Sequence, residues 1–175
     1  MTLLAAAAAA YARAGIAVFP IKPRDKIPYG RTVGLRMATA DPATATSRWG
    51  GMSPLPLKPL AALRAADSKA GRTSSDAALL RPVFAGGFAN IGIATGKISG
   101  FFVFDIDGPD GVASLAALEA RHGALPPTPE QTTGKGRHIC FAWPPPEFFA
   151  PDAAGQVRLL RNSAGKIGDG LDIRG

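Results

Sequence analysis

Residues 101–111 read FFVFDIDGPDG. Four apolar residues run straight into Asp105 and Asp107, and a glycine-rich turn follows. The run predicts a strand over 101–105. Side chains alternate along a strand, so Asp105 and Asp107 point to the same side. Carboxylates are costly to desolvate unless something pairs with them. Two aligned carboxylates at a strand end suit a hard divalent cation, or two cations bridging a phosphate. The same pair also serves to cap the helix after Pro109 or simply to face water, and for a bare D-x-D these are the commoner arrangements.

Several phosphate and metal motifs are absent. An EF-hand loop starting at Asp105 needs Asp or Asn, Gly and Glu where Pro109, Asp110 and Ala116 stand. No G-x-x-x-x-G-K-[ST] occurs, and GKGRHI has Ile139 where a third dinucleotide-binding glycine belongs.

Working outward, NIGIAT (90–95) predicts a strand joined to 101–105 by a turn around GKISG. DGVASLAALEARHG predicts an amphipathic helix, with Leu115 and Leu118 on one face and Gly123 past its end. EQTTG and RHICFAW are the next strands, and VRLL and LDIR the last candidates. Upstream, Thr2 is the expected N-cap of a helix that ends at Arg13 and Gly15, and IAVFP (16–20) is a short strand. Asp41 and Pro42 open a second helix. Residues 50–88, rich in Pro, Ala and Ser, predict one or two short helices. They are read as a peripheral insertion in a single domain spanning 1–175. Strands outnumber helices and alternate with them. The expected class is α+β, a mixed central sheet flanked by helices.

Within the strands, His138 opens an apolar segment beside Lys135 and Arg137, where an imidazole can donate to a phosphate oxygen. A half-buried histidine satisfied by backbone is an equal reading. His122, in a last helical turn, reads as a dipole contact. Asp172 is flanked by apolar Leu171 and Ile173 and should point away from their face, whereas Asp169 lies in a glycine turn.

The chain has 175 residues, 46% of them apolar, enough for one domain with a core. Its net charge is +7 and its pI about 10.1, which favours an anionic partner, nucleic acid first. Cys140 is the single cysteine, so an intramolecular disulfide and a cysteine-rich zinc site are both excluded. The alanine-rich start lacks the basic residues of a secretion signal and is too short to span a membrane. A cytoplasmic location without membrane contact is the expectation.

The ordered set D-x-D, G-R-H, D-I-R-G resembles the bifunctional primase–polymerase (prim-pol) domain of the archaeo-eukaryotic primase superfamily, found on phages and other mobile elements. AAYARAGIAVFPIKPRDKIP is similar to that family's opening helix, strand and lysine turn. ANIGIATG and GFFVFDIDGPDG resemble its central strands, TTGKGRHICF its histidine motif and GLDIRG its third acidic motif. The resemblance implies an RRM-like core and nucleotidyl transfer, either primer synthesis or polymerisation. Nucleoside triphosphates are the implied substrates, single-stranded DNA the template and a replicative helicase a further partner. Asp105, Asp107 and Asp172 would hold Mg²⁺ or Mn²⁺. His138 would contact the triphosphate, with Lys26, Gly136, Arg137 and Arg174 as further nucleotide contacts.

Three departures stand out, one of them the 50–88 insertion, longer than the family's usual link. Lys135 replaces the first of two adjacent glycines before Arg137-His138, which loses freedom at positive φ. The family also continues past its third acidic motif, so the resemblance implies a domain incomplete at its C-terminus. A metal-dependent phosphodiesterase and a non-catalytic nucleic-acid-binding remnant are the alternatives.

Overall fold

The computed structural model describes residues 2–148, 151, 155 and 160–175. They form two compact units, Met1–Ala94 and Thr95–Gly175.

The first unit is built on alanine. Helix α1 (Leu3–Arg13) starts where Thr2 Oγ1 accepts from the Ala5 N–H at 3.2 Å. Its buried face is Ala5, Ala8, Ala9 and Ala12, small enough for close approach of α2 (Pro42–Trp49). As expected, Asp41 caps α2, its Oδ2 accepting from the Thr44 N–H at 2.8 Å. Trp49 then fills the core with Val18, Ala45 and Ala89, and its indole N–H donates to the Ala89 carbonyl at 2.9 Å. Burying that ring without its partner would strand a polar atom. Strand β1 (Val18–Ile21) pairs antiparallel with β2 (Asn90–Ile93).

Residues 50–88 contain the two short helices expected, α3 (Leu60–Lys69) and α4 (Asp76–Leu79). Backbone hydrogen bonds stitch the segment down: Lys58 N–H to Arg31 O at 3.0 Å, Val33 N–H to Pro56 O at 3.0 Å, and Leu55 N–H to Val83 O at 2.7 Å. Leu55, Leu63 and Leu79 are buried beneath it. Asp67 is buried too, and both its oxygens are occupied. The Arg72 Nε donates to one at 2.8 Å and the Ser74 N–H to the other at 2.7 Å.

The described residues of the second unit form a five-stranded sheet in the order β4-β5-β3-β7-β6. The strands are β3 (Phe101–Asp107), β4 (Glu130–Thr132), β5 (Gly136–Ala142), β6 (Ser163–Ala164) and β7 (Leu171–Arg174). The α+β class read from the sequence holds, and every strand pair is antiparallel. Helix α5 (Gly108–His122) follows β3 without a loop and lays Leu115 on Phe104, Ile106, Ile139 and Leu171. Strand alternation therefore leaves Asp105 on the face opposite α5.

Three strand details differ from expectation. β2 follows the predicted order, but its ladder is with β1; only the Gly96–Phe101 bridge joins the 96–100 turn to β3. β6 is too short, at two residues, to show a periodic signal. The VRLL candidate (157–160) lies almost wholly outside the described residues, which include only Leu160 of it, in no strand.

The Ser74 amide, and after it the Arg72 guanidinium, hold the Asp67 carboxyl below the ordinary aspartate range. A group with a depressed folded pKa adds stability that is fully present above its unfolded pKa and is lost as pH falls through the folded value. Asp67→Asn should therefore lower the thermal midpoint at neutral pH. The gap to the parent should close as pH drops below about 4. Thermal unfolding followed over an acid series measures it; a gap constant down to low pH contradicts the assignment.

Candidate active site

The register of three neighbouring strands builds the site. Asp105 of β3 lies opposite His138 of β5 on one side and opposite Asp172 of β7 on the other. The three side chains thus form one row across the middle of the sheet. Asp105 is 7% exposed, so its charge needs close partners. His138 Nε2 sits 3.1 Å from one oxygen. The other oxygen faces Arg174, with Nη2 at 3.2 Å and Nε at 3.4 Å. The same Nη2 donates to Asp172 Oδ2 at 2.7 Å, and the Gly165 N–H donates to Asp172 Oδ1 at 3.0 Å. Arg174 is two residues past Asp172 on one strand, so alternation puts both on the same face. Its guanidinium bridges the two carboxylates, and its Nη1 has no partner among the described residues.

Asp107 stands apart from this knot. It occupies the N-cap position of α5, but its side chain makes no capping hydrogen bond and is exposed. Its backbone is firmly held instead, the N–H donating to Gly170 O at 2.8 Å. Capping, one of the two ordinary readings of the D-x-D pair, is thus not what Asp107 does.

The remaining sequence candidates divide. Strand alternation puts Arg137 on the opposite face from His138, where its Nη1 pairs with Glu130 Oε2 at 3.0 Å. Gly136 stands opposite Asp107, and a Cβ there would lie 1.8 Å from the Ile106 carbonyl oxygen. Backbone fit alone accounts for that glycine. Lys135 keeps a negative φ, since Arg24 is the only described non-glycine residue with a positive one; lysine in place of glycine strains nothing there. Lys26 belongs to the first unit, exposed in the loop after β1. Cys140 follows His138 on the same face, and burial pushes its thiol up, away from the reactive thiolate. His122 lies in the last turn of α5, where a dipole contact was expected, and both it and Asp169 are exposed.

Sequence reading missed Gly170. Its φ is +67°, and an added Cβ would lie 2.5 Å from Asp107 O and 2.6 Å from the Gly111 amide. The junction of β3 and α5 meets the turn before β7 there, and the G-D-G spelling before Leu171 was the available signal.

Three carboxylates are hard oxygen donors, and that chemistry suits Mg²⁺ or Mn²⁺. The arrangement, however, already holds a cation. Among the described residues no three His, Cys, Asp or Glu converge to hold a metal ion, and Arg174 lies between Asp105 and Asp172.

The family model of the bifunctional DNA primase/polymerase, N-terminal, matches residues 8–175. The chain belongs to that family. No curated protein and no solved structure matches it. For this prim-pol domain, membership implies nucleotidyl transfer in DNA priming and polymerisation, with nucleotides as substrates and DNA as template. The family is typically dependent on divalent metal. Among the described residues no helix is long and apolar enough to cross a membrane.

Two outcomes follow from the geometry. Arg174→Ala leaves a buried carboxylate short of a partner and should cost about 1–3 kcal/mol in urea unfolding. Asp105→Asn in that background should recover part of the loss, because a neutral amide needs no counter-charge. Additive losses would show the two residues to be uncoupled. Gly136→Ala should destabilise by about 1–3 kcal/mol through overpacking against Ile106, read from the same denaturant curves.

Proposed function

We propose that this prim-pol domain extends DNA from nucleoside triphosphates on a single-stranded template, with the row Asp105, His138 and Asp172 together with Asp107 as its reaction centre. The observation that carries this is the register. Three motifs, spread over 68 positions of sequence, come into one line on one sheet face.

Each side chain has a role that its surroundings support. Asp105, Asp107 and Asp172 would hold the divalent metal, Mg²⁺ or Mn²⁺. When bound, such a metal lowers the pKa of an attacking hydroxyl and neutralises charge on phosphate oxygens. Arg174 neutralises Asp105 and Asp172 while the site is at rest. Its free Nη1 can take a phosphate oxygen, and the planar fork suits that geometry. His138, on the opposite flank of Asp105, is about one-third exposed, with a side-chain value of 35%. It can turn a ring N–H toward a triphosphate oxygen. Gly136 and Gly170 keep the end of β3 in place, so that Asp107 is presented where the central strand ends.

The test is an extension assay with Mn²⁺, labelled nucleoside triphosphates and primed single-stranded template. Growth of the strand supports the proposal. Cleavage of the template instead indicates a phosphodiesterase, and binding without chemistry a non-catalytic module. Asp107→Asn should lower Mn²⁺ affinity about 10-fold or more and suppress extension. Circular dichroism should not change, because the Asp107 side chain caps nothing. Parental Mn²⁺ titration in this variant removes Asp107 from the site.

A further inference from the structure

We propose that residues 50–88, with Arg31, form a binding site for the phosphodiester backbone of the single-stranded template. The inference rests on the polymerising function proposed above and assigns the template a place on the chain.

Charge points to the first unit. Residues 1–94 hold 12 Lys and Arg against 4 Asp, a net charge of +8, whereas residues 95–175 carry −1. The attraction for a polyanion therefore belongs to the unit that lacks the carboxylate row. Within that unit, α3, α4 and the 30–31 and 58 positions enclose a cavity of about 240 Å³. Arg31, Lys58, Arg72 and Ser74 bring polar groups to it, and its one carboxylate is Asp67.

Asp67 does not cancel these cations. Its two oxygens are taken by Arg72 Nε and the Ser74 N–H, so its charge is spent on Arg72. Arg31 uses Nη1 for the Ala78 carbonyl at 2.7 Å, which leaves Nε and Nη2 without partners among the described residues. Lys58 has an exposed side chain with no ion pair among the described residues. Yet its backbone is fixed, because its N–H donates to Arg31 O at 3.0 Å. An anchored guanidinium and a lysine on a fixed backbone thus stand next to each other at the cavity with their charge unspent.

The other walls are Gly, Ala and Leu, with no aromatic residue on which a base can stack. Phosphate is therefore the group recognised, without readout of sequence. A free triphosphate arrives with a divalent cation that itself needs oxygen ligands, and the one carboxylate here, Asp67, is buried and already bonded through both oxygens. A phosphodiester monoanion needs only the two cations.

The experiment uses the whole chain and a labelled single-stranded oligothymidylate, with anisotropy measured over a salt series. Lys58→Ala should bind several-fold more weakly at low salt. The slope of log K against log salt should become shallower by about 0.7, the share of one phosphate contact on a single strand. Its thermal midpoint should match the parent, since Lys58 holds nothing. Arg13→Ala, which removes equal charge at the end of α1 outside the cavity, should keep the parental slope. In the extension assay, Lys58→Ala should raise the template KM and leave kcat at saturating template unchanged. Parental affinity and slope in Lys58→Ala overturn the proposal. So does a loss confined to triphosphate affinity, which would make the cavity a site for free phosphate, and so does a parent that binds no single strand. A parent that binds the oligonucleotide through Lys58 but never extends it leaves this site standing and defeats the polymerising function alone.

Discussion

Asp105 is a carboxylate in the middle strand of a sheet, nearly removed from water, and the arrangement around it follows from that cost. A buried charge persists only with partners at hydrogen-bond distance. β3 acquires them from both neighbours: His138 from β5, and Arg174 from β7. Because β5 and β7 both run antiparallel to β3, a shift of either strand by one residue would turn its contribution to the other face. The pairing of Asp105 thus sets the register of three strands, and the same register carries Asp172 into line. One electrostatic requirement accounts for both a folded sheet and a row of ionisable groups.

The guanidinium between Asp105 and Asp172 gives the resting site a counter-charge of its own. Two carboxylates on neighbouring strands repel when both are ionised, and a shared arginine relieves this without a bound ion. The pair is also half open to water on the arginine side, at 44% exposure. Asp107 needs no such partner because it stands in solvent. Its position is secured through the backbone alone, where Gly170 and Gly136 allow three chain segments to approach more closely than any side chain permits.

Charge is divided between the two units. The carboxylate row is in the second unit, and the excess of Lys and Arg is in the first. A field strong enough to attract a nucleic acid, if centred on the carboxylate row, would work against binding a divalent cation there. In the first unit, α3 and α4 are fastened by Asp67 and Arg31, so the segment that composition marks as loop-like is an ordered, cationic surface.

Local patterns in the sequence determined much of this. Thr2, Asp41 and Pro42 marked two helix starts, and Gly15 and Gly123 two helix ends, because capping is chemistry between residues a few positions apart. The apolar run of 101–105 and the alternation within 137–143 marked the central strands, and the order of D-x-D, G-R-H and D-I-R-G marked the family. Partnership was decided only in the tertiary structure. Composition cannot say that β2 pairs with β1, that Arg174 sits between two aspartates, or that Arg137 pairs with Glu130. Nor can it say that Gly136 is required by the Ile106 carbonyl, since each of these depends on residues far apart in sequence. A strand pattern tells which face a side chain takes relative to its own neighbours. Which charges meet across strands is fixed by register, and register is a property of the assembled sheet.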